Sequence, residues 1–165
     1  MHRVRLLLGF LLALAGAALA FGADEDVTFH AFDLTQAMLD LFRQWIKKVG
    51  ANSITLKQAN VLNLDQLPSD WNEYDCIVSL AMLEHLPKNR VGQALRGLKR
   101  LLKHDGKLVV CITKRNVITK FIGWWWKNNI YTAKELTKIF LDVGFSEFKI
   151  SSFFWHFMFI IEAKK

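Results

Sequence analysis

From residue 27 onward the chain switches repeatedly between strand-like and helix-like hydrophobic periods, and few folds accommodate that alternation. Residues 27–32 form a β-rich run ending at Asp33. Behind it Met38, Leu41, Phe42, Trp45, Ile46 and Val49 recur at helical spacing, with Thr35 as the expected N-cap and Gly50 as the stop. A second strand is expected over 53–59, ending at Asn60, and a third over 76–80, a continuous apolar run of the kind buried in parallel sheets. Pro87 opens an amphipathic helix with Val91, Leu95, Leu98 and Leu102 inward, and Asp105-Gly106 turns the chain into a strand over 107–113. Thr132 and Glu135 make a capping box for a helix that reaches Gly144. The runs 145–153 and 157–163 are joined too briefly for anything but an antiparallel pair. Strands and helices in alternation, closed by a hairpin, specify an α/β fold with a mostly parallel open sheet.

Residues 1–22 stand apart from this pattern, and the domain proper is expected over 23–165. Arg3 and Arg5 precede an uncharged stretch that ends in small residues at Ala18-Leu19-Ala20, followed by Asp24-Glu25-Asp26. This is the pattern of a signal peptide, at the short end for a membrane anchor; a buried apolar element of the domain is the alternative. The whole chain, 165 residues and 52% apolar, supports one core and excludes both a disordered chain and a disulfide-stapled mini-protein. Cys76 and Cys111 each sit inside an apolar run without metal-ligand spacing, so they read as reduced core thiols and no metal site is expected.

The net charge of +7 is unevenly distributed. Residues 87–127 carry 11 basic side chains and one acid, whereas residues 1–86 carry 6 basic and 10 acidic ones. A basic segment of this kind suits an anionic membrane surface or, less well, a nucleic acid; it is also what any solvated amphipathic helix presents. Trp124-Trp125-Trp126, within the same segment, reads as packing against the sheet edge, as a lid over an apolar acceptor, or as a membrane-interface anchor.

Several motifs, in this order, resemble the class I S-adenosylmethionine-dependent methyltransferases, particularly the small-molecule domains akin to the ubiquinone-biosynthesis O-methyltransferases. They are Asp33 with the following Leu34-Thr35 and Met38-Leu39; Tyr74-Asp75 with Leu83-Glu84-His85; Leu101-Leu102-Lys103 with Gly106; and Tyr131-Thr132 with Glu135-Leu136 and Gly144-Phe145. The resemblance covers about residues 27–165 and implies a Rossmann-like fold with S-adenosylmethionine (SAM) as cofactor. One element departs from it. The family's first strand ends in an acidic residue and a glycine-rich loop, and ahead of Asp33 there is only Gly9, with Leu7 where the acid is expected. The resemblance therefore implies a sheet whose first strand is missing and a domain truncated or impaired in cofactor binding. The segment 6–20 is then expected to be largely helical and uncleaved, packed on the domain or a membrane surface.

Ligands of open α/β sheets bind beyond the carboxyl ends of the strands. The resemblance assigns Asp33, with Leu34 beside it, to the ribose hydroxyls, and the alternative for Asp33 is a helix-start carboxylate. Asn60 stands where an acceptor for the adenine amino group is expected, and Val61 would pack on the adenine face; loop and core roles are the alternatives. Ser79 to Met82 lie near where methyl group and acceptor would meet. His85 is the candidate general base, histidine being the side chain that ordinarily titrates nearest neutrality, although the Leu-Glu-His segment also reads as structural. Methyl transfer from a sulfonium depends mainly on positioning, so few catalytic groups are required. The resulting expectation is a cytoplasmic SAM-dependent methyltransferase, possessing a small or lipid-like acceptor and able to associate with membrane through its first segment. A degenerate, non-catalytic interaction module and an RNA-binding or RNA-modifying protein are the competing readings.

Overall fold

A computed structural model describes residues 4–9, 27–50, 54–116, 129–153 and 157–165. Seven strands make one sheet: β1 (Val4–Gly9), β2 (Val27–Asp33), β3 (Ile54–Gln58), β4 (Tyr74–Leu80), β5 (Leu102–Thr113), β6 (Glu147–Phe153) and β7 (Met158–Lys164). Their order is β3-β2-β1-β4-β5-β7-β6. The first five strands run parallel, and β7 joins β5 and β6 antiparallel, as the short final connection requires. Among the described residues, three α-helices pack on this sheet: α1 (Gln36–Val49), α2 (Val91–Leu101) and α3 (Ala133–Asp142).

The expectation of a missing first strand is overturned. Val4–Gly9 is that strand, and it lies at the centre of the sheet, pairing Leu8 with Ala31 of β2 on one side and with Val78 of β4 on the other. The physical reason is its central, parallel pairing: strands of that kind read as continuous apolar runs without the alternation by which strands are usually recognised, and such a run mimics a signal core. Residues 6–9 are accordingly extended rather than helical. The rest of the segment to residue 20, the boundary at 22/23 and Trp124-Trp125-Trp126 lie outside the described residues. Among the described residues, no helix is long and apolar enough to cross a membrane.

The two faces are covered differently. Against one, Phe42 and Ile46 of α1 bury Val27, Phe29 and Ala31 of β2. Against the other, α2 and α3 contribute Leu95, Leu98, Leu136 and Phe140 to a larger core with Ile77, Leu108, Val110 and Ile161. His30, expected to be unremarkable, is buried on β2, with Nδ1 2.7 Å from the Tyr74 hydroxyl and its ring stacked on Trp71 at 4.2 Å. This cluster ties the loop before β4 to the strand that leads into Asp33.

Local signals set the helix ends with two exceptions. Gly50 stops α1 in the left-handed region, φ 72°, and its N–H donates to Ile46 O. The capping box forms as expected: the Thr132 hydroxyl accepts from the Glu135 N–H at 3.2 Å, and Glu135 Oε2 accepts from the Thr132 N–H at 2.7 Å. Thr35 does not cap α1 with its side chain; its hydroxyl donates instead to Asp33. Pro87 leads first into a 3-10 turn, Lys88–Arg90, and α2 begins only at Val91.

Candidate functional site

The central strand fixes where a ligand would sit. Gly9, the last residue of β1, lies opposite Phe32 in β2 and Ser79 in β4, so Asp33 and Ser79 flank one point at the carboxyl edge. The chain order reverses here, β2 and β3 lying to one side of β1 and β4 to the other, which is the place where open α/β sheets leave a crevice.

A cleft of about 310 Å³ opens beside this point. Asp33, Leu34, Asn60, Val61 and His85, five of the six residues nominated from sequence, line it. Phe32, Met38, Ala59, Met82 and Leu86 complete its apolar walls. Met82 belongs to the stretch expected near the methyl group, whereas Phe32, Met38, Ala59 and Leu86 are not named as site residues from sequence. Met38 stands within a quoted motif, but its spacing gives only a helix face. Ser79 is not among the lining residues; it is 1% exposed, and its hydroxyl has no hydrogen-bond partner among the described residues.

Asp33 makes the helix-start contact with one oxygen and keeps the other clear. Oδ1 accepts from the Thr35 N–H at 2.8 Å and from the Thr35 hydroxyl at 2.9 Å, holding the turn from β2 into α1. Oδ2 has no partner among the described residues, leaving an acceptor for a ligand hydroxyl. The two backbones forming the cleft floor are joined where the Ala59 N–H donates to Asp33 O at 3.0 Å. Asn60 turns its amide oxygen back onto its own loop, accepting from the Leu62 N–H at 2.9 Å. That oxygen keeps one lone pair, so a ligand amino group would share it rather than own it.

On the β4 side the chain leaves Leu80 through Ala81, a non-glycine residue at φ 45° whose N–H donates to Cys111 O at 2.9 Å. This left-handed residue starts the turn that presents Met82 and His85 to the cleft. Glu84 and His85, adjacent in sequence, separate completely. His85 is exposed at the cleft, whereas Glu84 is buried, with Oε2 accepting from the Thr113 N–H at 2.8 Å and from the Thr113 hydroxyl at 2.9 Å. The Glu84 carbonyl also accepts from the Asn129 N–H, so this residue joins the ends of β4 and β5 to the chain's return at Asn129. Tyr131 sits beside this junction with its hydroxyl unpartnered among the described residues; burial, then the Glu135 and Glu84 carboxylates, push its pKa up to about 12.

Much of the basic segment is engaged within the molecule. Lys88 and Arg115 pair with Glu135, Arg100 with Asp65 and Lys103 with Asp75, while Lys99 donates to Gly144 O. The acids lie outside 87–127, so part of the lopsided charge in sequence is matched in space. Among the described residues, no group of three His, Cys, Asp or Glu side chains converges to hold a metal ion.

Comparison with known proteins agrees with this geometry. The family model described as "Methyltransferase domain" matches residues 13–106, more than half of the chain. YafE of Escherichia coli (strain K12), itself described as uncharacterized, is 34% identical over 91 residues, which is 54% of this chain and 42% of YafE. PigF, solved with SAH, superimposes with a TM-score of 0.79 at 19% identity, covering 99% of this chain and 51% of PigF. Magnesium protoporphyrin IX methyltransferase (ChlM) from Synechocystis PCC 6803, with bound SAH, superimposes with a TM-score of 0.71 at 18% identity, covering 98% of this chain and 74% of ChlM. The chain thus spans less than half the length of YafE and about half that of PigF.

Proposed function

Because this chain belongs to the methyltransferase-domain family, we propose that it is a SAM-dependent methyltransferase whose cofactor occupies the cleft between Asp33, Asn60 and His85. One observation carries the reading: five residues nominated from sequence, drawn from stretches far apart along the chain, line a single cleft at the carboxyl ends of the strands. The chemistry of the lining fits an adenosine. Leu34, Met38 and Val61 provide apolar surface for a flat base, and the free Oδ2 of Asp33 provides an acceptor for ribose hydroxyls.

When bound, the cofactor supplies an electrophilic methyl group on a good, neutral leaving group. The residues of this chain then have to position and exclude water more than to perform covalent chemistry. Asp33, held by Thr35, fixes the ribose end, and the Asn60–Val61 turn borders the base. His85, exposed on the opposite wall, is the group suited to take a proton from a hydroxyl acceptor. The acceptor we propose is a small or lipid-like molecule, because the walls on the His85 side, Met82 and Leu86, are apolar. Cytoplasmic placement belongs to the same proposal, since SAM is an intracellular metabolite. The alternative of an RNA-binding protein is less favoured, because Lys88, Lys99, Arg100, Lys103 and Arg115 already have partners within the molecule.

Titration calorimetry with S-adenosylhomocysteine tests the cofactor assignment. Binding is expected in the native protein, and Asp33→Ala is expected to weaken it by about 1.5–3 kcal/mol, the range for a hydrogen bond to a charged group. An absence of binding heat and of any thermal stabilisation by the ligand would refute the enzyme reading and favour the non-catalytic module.

A further inference from the structure

Of the four methionines in the sequence, three are described, and two of these, Met38 and Met82, line the candidate cofactor cleft. They come from opposite sides of the central strand: Met38 from the first turn of α1, Met82 from the turn after β4. Both are part-exposed and sit in a cleft open to solvent, so an oxidant the size of a hydroperoxide has a path to either sulfur. Their neighbours in the wall, Phe32, Leu34, Val61 and Leu86, are apolar and do not oxidise under such conditions.

We propose that Met38 and Met82 form an oxidation-sensitive pair through which a hydroperoxide reversibly closes the cleft to its cofactor. The inference rests on the cofactor reading given above. In the step itself the peroxide O–O bond breaks as a thioether lone pair attacks the terminal oxygen. The sulfur is oxidised to the sulfoxide, and the peroxide is reduced to water or an alcohol. A sulfoxide is more polar and bulkier than a thioether, and at these positions it would stand beside the apolar side chains Phe32, Leu34, Val61 and Leu86, against which the expected base would pack. The cleft therefore loses apolar surface on two walls at once.

The other oxidisable sulfurs among the described residues either react slowly or lie away from the cleft. Cys76 and Cys111 are partly buried in strands, and burial raises the pKa of both thiols, which keeps them protonated and slow toward peroxide. Met158 lies on β7 with its sulfur 3.8 Å from Cys111 Sγ and does not line the cleft, so its oxidation would not touch the base. The site is thus defined by position as well as by residue type.

The test treats the native chain with dilute hydrogen peroxide, maps added oxygen by peptide mass spectrometry, and titrates S-adenosylhomocysteine before and after. Oxygen is expected on Met38 and Met82 first, with affinity falling at least about tenfold and returning after treatment with methionine sulfoxide reductases of both epimer specificities. In Met38→Leu/Met82→Leu, whatever its starting affinity, peroxide should change that affinity by less than about twofold, because leucine keeps the apolar wall without the sulfur. Oxidised protein that binds as before, oxygen appearing first on Met158 or the cysteines, or a leucine variant as sensitive as the native chain would each overturn the proposal. Failure of the untreated protein to bind overturns the cofactor reading and this inference together, whereas the other failures leave that reading standing.

Discussion

Replacing Glu84 with alanine should reveal how much of the sheet's carboxyl edge depends on one buried carboxylate. Glu84 is 4% exposed, and its Oε2 accepts two hydrogen bonds from Thr113, at 2.8 and 2.9 Å. Each bond to a charged acceptor is worth about 1.5–3 kcal/mol, so losing both costs about 3–6 kcal/mol. A domain typically has only about 5–15 kcal/mol in hand. Glu84→Gln keeps an oxygen in place and converts charged bonds to neutral ones, each worth about 0.5–1.5 kcal/mol, so roughly half the loss is expected. Urea unfolding followed by far-ultraviolet dichroism measures both variants, and at about 2–4 °C per kcal/mol the alanine variant should melt at least roughly 6 °C lower. A loss below about 1 kcal/mol for Glu84→Ala, or equal losses for alanine and glutamine, would refute the argument, since the first denies the bonds their weight and the second denies the oxygen its role.

Two further outcomes follow from particular contacts. Burial alone would raise the Glu135 pKa, but the Lys88 ammonium and the Thr132 N–H and hydroxyl outweigh it and hold the carboxyl at about 2, against an ordinary 4.5. A depressed carboxylate stabilises the fold above its unfolded pKa and loses that contribution as pH falls from 4.5 toward 2. The side chain is 35% exposed, so about 1 kcal/mol is the expected size, and Glu135→Gln should flatten the stability profile across that window; a variant with the native acid slope would refute it. Gly106→Ala should cost about 1–3 kcal/mol by chemical denaturation, because its Cβ would meet Tyr74 O at 2.8 Å and Lys103 O at 3.0 Å, backbone atoms that cannot step aside. A neutral result would show that β5 can shift against the start of β4.

The elements that could be read from sequence are those whose determinants are local. Helical spacing from Met38 to Ile46, the Gly50 stop and the Thr132–Glu135 box each lie within a few residues, and each is present in the fold. The cleft was legible for a related reason: ligand residues end strands, and strand ends are marked by changes of pattern at Asp33 and Asn60. β1 was not legible, because a strand flanked on both sides shows no alternation and its apolar run fits a signal core equally well. Nor were the pairings of Lys103 with Asp75, Arg100 with Asp65 or Glu84 with Thr113, which no spacing encodes. The role of Ser79 illustrates the remaining gap. Its position at the strand end was correct in sequence terms, but the direction of its side chain, into the interior rather than the cleft, is set by the register of β4 against β1 and β5.

The central position of β1 also bears on how the molecule reaches its native state. β1 is made before every strand it pairs with, and one of its two neighbours, β4, follows much later in the chain, Leu6 lying opposite Cys76. Until β4 is available, the seam between the two halves of the sheet cannot close, and the unpaired edges of β1, β2 and β4 remain open to other chains. Such long-range parallel pairing raises contact order, and the entropy of closing the intervening loop is spent before any packing rewards it. Agitation, dilution from denaturant or a destabilising change near β1 should therefore favour strand exchange between molecules over simple unfolding, with the vulnerability concentrated at the same strand that positions the cleft.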